Sequence, residues 1–218
     1  MTDVFNFVSF LDYFFLAAVA LWGLFCVVVV LSRVARKRFK NEDAQNAFLD
    51  QLEPSLRAGD FAAVEKACEG NEKALPMMMH LASLNRGLGY QKVRQLVTDR
   101  FQRDVLADFD NRMAWIVTVI KTAPMLGLFG TVLGMMGAFG KLASSDNVKP
   151  DELAGDIRVA LETTAIGLLI AIPLVMAMAL ITNRIREMQD LVGAGLNRFL
   201  EAFKAGLAKE TGSERRSA

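Results

Sequence analysis

The chain has 218 residues, 53% of them hydrophobic, with a mean hydropathy of +0.29 and a formal net charge of +1. The apolar residues are concentrated in blocks, which argues against a soluble fold, and nothing resembles a basic arm for nucleic acid. Cys26 falls in an apolar block and Cys68 in a polar region, so the pair makes no disulfide framework.

The first block, Tyr13 to Ser32, is free of charge and long enough to span a bilayer. Asp3 and Asp12 precede it in place of a basic n-region, so it does not read as a cleaved signal peptide. Arg33, Arg36, Lys37, Arg38 and Lys40 follow it and act as a topology anchor. They predict residues 1–12 on the periplasmic side, a span over 13–32 and a cytoplasmic region over 33–112. That region reads as helical. Asn41 or a neighbour can cap a helix to Leu56, Ala58-Gly59-Asp60 breaks it, and Asp60 can cap Phe61 to Cys68. Pro76 suits the first turn of a helix over 77–86, ended by Gly87-Leu-Gly89. A last helix starts near Tyr90. Its stripe of Val93, Leu96, Val97, Phe101, Val105, Leu106 and Phe109 runs unbroken toward the next span. His80, the single histidine, reads as a packing or surface residue beside Met77, Met78 and Met79.

The second span is placed at 113–140, interrupted only by Lys121, which can snorkel to the interface. The connector 141–162 carries three basic and five acidic residues, as expected of a periplasmic loop. A third span over 163–183 returns the chain to a cytoplasmic helical tail, 184–218, with Arg184 and Arg186 at once behind it. The helix through this span is expected to run from about 158 to 208, and the polar residues from Thr211 read as unstructured.

Gly127, Gly130, Gly134, Gly137 and Gly140 recur at steps of three, four, three and three, one stripe of a helix. Such a stripe admits a second helix at close range, and three spans offer few neighbours, which points to an assembly. Gly167 extends the packing positions to the third span. Pro124 and Pro173 remove backbone donors and free nearby carbonyls. Thr131 and Thr164 are hydroxyls inside the spans, each able to bond to its own helix or to line an ion path. No span carries a central acid, so if the chain moves protons the titrating carboxylate has to come from a partner. Glu162 stands at the outer mouth of the third span. There is no metal-ligand spacing, no phosphate loop and no nucleophile with a base, so neither a cofactor nor an enzyme is expected.

Two motifs carry more information than composition. Thr122-Ala-Pro-Met-Leu-Gly-Leu-Phe-Gly-Thr131-Val-Leu-Gly-Met-Met, followed by Ala160-Leu-Glu-Thr-Thr164-Ala-Ile-Gly-Leu-Leu-Ile-Ala-Ile-Pro173, resembles the MotA/TolQ/ExbB proton-channel family. Arg57-Ala-Gly-Asp60, Ala67-Cys68 and Pro76 resemble that family's helical domain. The resemblance covers nearly the whole chain and is strongest over 114–182. It implies an all-α membrane protein with three transmembrane helices and long cytoplasmic helical extensions, assembled as a homopentamer around a central pore. It also implies an ExbD/TolR-type single-span partner with a membrane aspartate, and a TonB- or TolA-type periplasmic protein as the target of the work. Thr131 and Thr164 take the positions of the pore-facing threonines. A glutamate expected five residues before the second threonine is Val159 here, and the acid is Glu162 instead.

The expected function is therefore that of a motor subunit in the bacterial inner membrane, driven by proton motive force. A flagellar-type stator subunit and a passive helix-packing scaffold are the alternatives. The Thr163-Thr164 pair would also suit sodium.

Overall fold

The computed structural model describes the backbone of residues 2–144 and 150–217, and side chains over 10–143, 150–151 and 153–210. Among the described residues the chain is helical throughout: α1 (Thr2–Lys37), α2 (Glu42–Ala58), α3 (Phe61–Cys68), α4 (Ala74–Leu84), α5 (Tyr90–Arg100), α6 (Ala107–Ser144) and α7 (Pro150–Ser217). A 3₁₀ turn lies at Arg86–Leu88 and a π-helical turn at Phe101–Leu106, so the helix that opens at Tyr90 does continue into α6. α1, α6 and α7 contain the three expected spans, and among the described residues three helices are long and apolar enough to cross a membrane.

The helix ends follow local chemistry. Gly59 ends α2 with φ at +86°, a left-handed conformation open to glycine, and its N–H returns to the Leu56 carbonyl. Asp60 then caps α3, its Oδ1 accepting from the Ala63 N–H at 3.0 Å. Pro76 sits in the first turn of α4. Three expectations differ. Asn41 precedes α2 but its side chain makes no capping hydrogen bond. The stretch 141–162 is mostly helix, because α6 runs to Ser144 and α7 starts at Pro150, where Asp151 and Glu152 favour a helix N-terminus. The backbone from Thr211 remains helical to Ser217, and its side chains lie outside the described residues.

The helices divide into two compact units. The first comprises the chain up to Val29 together with Arg112–Leu180. Its buried faces are Leu16 and Val27 on α1, Ile116, Val119 and Ala123 on α6, and Ala171 and Leu174 on α7. Gly23 brings α1 close to both neighbours, since a Cβ there would lie 2.8 Å from Leu174 Cδ1 and from Val119 Cγ1. Large apolar side chains such as Leu21, Met125, Leu128 and Leu169 face outward, as lipid-facing residues do.

The second unit comprises Val30–Asn111 and Ile181–Ala218. Its core joins Leu49, Leu56, Phe61, Leu75, Met78, Met79 and Val97 to Ile185, Met188, Val192, Phe199 and Phe203 of α7. The Phe61 and Phe203 rings meet edge to face at 5.2 Å. Gln45 is buried, and its Nε2 donates to the Leu191 carbonyl at 2.6 Å. His80 is half-buried, with Nδ1 3.3 Å from the Glu65 carbonyl. Burial pushes the Cys68 thiol up to about 11, so it stays a thiol at neutral pH.

Two features of this unit have measurable consequences. A Cβ at Gly206 would overlap the Leu56 carbonyl oxygen and lie 3.1 Å from Phe61 Cζ, whereas one at Gly87 would meet nothing within 4 Å. Gly206→Ala is expected to destabilise the unit by about 1–3 kcal/mol, with Gly87→Ala near neutral, as read by thermal unfolding of the purified chain in detergent. Arg198 Nη2 donates to Asp50 and to Glu53 at 2.5 Å each, and Arg57 Nη2 donates to Glu53 at 2.6 Å. The Arg198 and Arg57 guanidinium groups hold the Glu53 carboxyl below its ordinary value of 4.5, so this contribution is complete above that pH and fades as pH falls below it. Arg198→Met should flatten the acid limb of a stability-against-pH curve; a limb of unchanged slope would show that Glu53 does not carry it.

Candidate functional site

The glycine stripe of α6 packs against α7 of the same chain. A Cβ at Gly127 would lie 2.6 Å from the Thr163 carbonyl oxygen and 2.9 Å from Thr164 Cα, both backbone atoms. One at Gly134 would lie 2.5 Å from Ala160 Cβ. From the other side, a Cβ at Gly167 would lie 2.6 Å from the Ala123 carbonyl and 3.3 Å from Pro124 Cα. These glycines therefore serve contact within one chain and do not by themselves call for an assembly. Gly137 is half-buried, and a Cβ at Gly140 would meet nothing within 4 Å. Pro124 is half-buried in α6, and Pro173 is exposed on α7.

The close approach brings three hydroxyls together. Thr131 Oγ1 lies 3.1 Å from the Gly127 carbonyl and 3.1 Å from the Ala160 carbonyl, and it is in hydrogen-bond contact with Thr164 Oγ1. Thr164 Oγ1 lies 3.0 Å from the Gly127 carbonyl. Thr163 Oγ1, buried, lies 2.7 Å from the Ala160 carbonyl and 3.1 Å from that of Gly127. The two threonines singled out by motif thus touch across the α6–α7 contact, and Thr163 completes a trio with them.

Each hydroxyl has one proton to donate, and the trio shares two carbonyl acceptors. Thr163 can be satisfied by Ala160 and Thr164 by Gly127, which leaves Thr131 a choice among Gly127, Ala160 and Thr164. The bonding is redundant, so one hydroxyl can turn to an incoming oxygen without orphaning a neighbour. A hydroxyl can donate to a carboxylate or accept from a carboxylic acid, so the trio can meet a titrating group in either state.

Glu162 is not part of the trio. It is exposed and paired with Arg158 at 2.9 Å, one turn away on α7. Sequence reasoning misses Asp12. Its side chain is only 4% exposed, and Oδ2 has no hydrogen-bond partner among the described residues. Asp12 Oδ2 lies over Gly130, where a Cβ would also come 2.6 Å from Thr163 Oγ1. A buried acid of this chain therefore lies near the trio, beside the partner acid that the sequence reading expects. Asp12 shares a helical face with Leu16, Gly23 and Val27, all buried, and that register is the signal that could have found it.

The model of the MotA/TolQ/ExbB proton channel family matches residues 65–193, more than half of the chain and the whole of the trio. The chain belongs to this family. Among its relatives, biopolymer transport protein exbB1 of Vibrio cholerae is 43% identical over 172 residues, 71% of each chain. Biopolymer transport protein ExbB of Salmonella typhimurium is 28% identical over 182 residues, 82% of this chain and 73% of that one. Tol-Pal system protein TolQ of Haemophilus influenzae is 36% identical over 94 residues, 43% of this chain and 41% of that protein. Against TolQ and the ExbB of Xanthomonas campestris, the chain spans about two fifths of the relative's length. Family membership and the three apolar helices make this chain an all-α membrane protein.

Because the neighbours of Gly127 are backbone atoms, they cannot move aside as a side chain would. Gly127→Ala is expected to lose about 1–3 kcal/mol through overpacking, while Gly140→Ala should be neutral or slightly stabilising. Thermal unfolding of the two variants in the same detergent checks this. Equal midpoints would show that the close contact does not hold α6 to α7.

Proposed function

We propose that this chain is the channel-forming subunit of a motor in the bacterial inner membrane, with its N-terminus periplasmic and its C-terminus cytoplasmic. Five copies would surround a pair of ExbD/TolR-type single-span partners, each bringing a membrane aspartate. Proton flow through that assembly would move a TonB- or TolA-type periplasmic protein. The chain performs no catalysis of its own in this reading. The observation that carries it is the trio of Thr131, Thr163 and Thr164, whose redundant hydroxyls suit a group that gains and loses a proton. The relatives named for biopolymer transport and for the Tol-Pal system support the same reading. Each proton crossing would release about 2.3 kcal/mol per 100 mV of membrane potential.

The test is proton flux into liposomes holding this chain and its single-span partner, driven by an imposed potential. Thr164→Val keeps the shape and removes the hydroxyl. Flux should fall by roughly tenfold or more, the loss of one hydrogen bond to a charged group of about 1.5–3 kcal/mol, while the oligomer keeps its size. Flux unchanged by both this substitution and removal of the partner's aspartate would show that protons do not pass by the trio, and no flux in the unaltered assembly would leave the chain as a scaffold.

A further inference from the structure

We propose that Asp12 is a proton-binding site of this chain, seated over Gly130 on the gap that Thr163 also lines, from which a proton exchanges with the threonine trio. Three observations converge on it. The carboxyl is almost fully enclosed by its own chain, and Oδ2 has no donor among the described residues. A Cβ at Gly130 would overlap Asp12 Oδ2 and lie 2.6 Å from Thr163 Oγ1, so the glycine leaves the space that both oxygens share. Finally, Thr163 Oγ1 can donate to the Ala160 carbonyl at 2.7 Å or the Gly127 carbonyl at 3.1 Å, and either leaves the oxygen lone pairs of that hydroxyl open.

The consequence follows from donor counting. An ionised Asp12 would be a buried charge without a donor at Oδ2, a costly arrangement. A protonated Asp12 carries one O–H, and Thr163 Oγ1, on the same gap over Gly130, offers an acceptor. The charged and titratable groups around the seat are few. α6 has none between Lys121 and Lys141. α7 contributes Glu162, already paired with Arg158. On α1, Tyr13 stands within electrostatic reach of both Asp12 and Glu162. No cation is committed to Asp12 among these groups. Exchange with the trio balances: once Asp12 turns to Thr163 it gives its proton to Thr163 Oγ1 as the Thr163 proton moves on to an incoming carboxylate, which leaves Asp12 ionised until a hydronium ion reloads it.

The role in proton flow rests on the channel reading; the binding site itself does not. The experiment therefore begins without partner or flux, with infrared spectra of the full chain in lipid nanodiscs. At pH 7 a protonated-carboxyl band is expected, shifted when aspartate is labelled with ¹³C in its side chain. Asp12→Asn, which keeps shape and hydrogen-bonding capacity, should remove it. Gly130→Ala, which crowds Oδ2 from its seat, should move or remove it. No band in the unaltered chain, a band unmoved by the label, or a band that persists in both variants overturns the site. Loss of the band on adding sodium also overturns it, in favour of a metal-ion site. With the site confirmed, Asp12→Asn is expected to reduce partner-dependent proton flux several-fold, and unchanged flux overturns its place on the path. Absence of flux in the unaltered assembly would defeat the channel reading and leave the infrared result standing.

Discussion

Contact between the backbones of α6 and α7 is the constraint from which the rest of the membrane unit follows. At Gly127 no side chain intervenes, and the carbonyl oxygen of Thr163 lies 2.6 Å from where a Cβ would be. Glycine in a helix interior costs about 1 kcal/mol against alanine, and close helix packing offsets it. At this separation the hydroxyls of one helix reach the carbonyls of the other. A wider spacing would leave Thr131 and Thr164 bonded only to their own helices, as isolated threonines in membrane helices usually are.

This geometry also explains why the site contains so little charge. Hydroxyls and carbonyls can sit in a low-dielectric region at small cost because they satisfy one another, whereas a fixed ion there needs a counter-ion. Gly130 extends the same logic to α1. The missing side chain leaves a space that the Asp12 carboxyl enters.

Much of this was legible in the sequence, and what was not has a physical reason. The Asp60 cap, the Gly59 stop and the continuous helix from Tyr90 follow from local rules, because the interactions involved lie within a turn of one another. The stretch 141–162 reads as a loop when its charges are counted, yet Pro150 with Asp151 and Glu152 is a helix start, and that signal prevails. Thr131 and Thr164 stand out by motif, but their contact joins residues 33 apart and depends on a helix spacing that no single-helix pattern contains. Asp12 is harder still. Its position next to an apolar block reads as the edge of a span, and only the register with Leu16, Gly23 and Val27 places it inward.

The second unit is discontinuous in sequence, and this affects how the protein can be made. Residues 30–111 leave the ribosome well before Ile181–Ala218, which supply Phe199, Phe203 and the carbonyl that receives Gln45. Until then the faces carrying Leu49, Phe61 and Met79 have no α7 to pack against. Two apolar stretches must be synthesised in the interval. The nascent chain is thus committed to a delay between the start of this core and its closure, and during that delay the open faces depend on transient cover, from the membrane surface or from a chaperone.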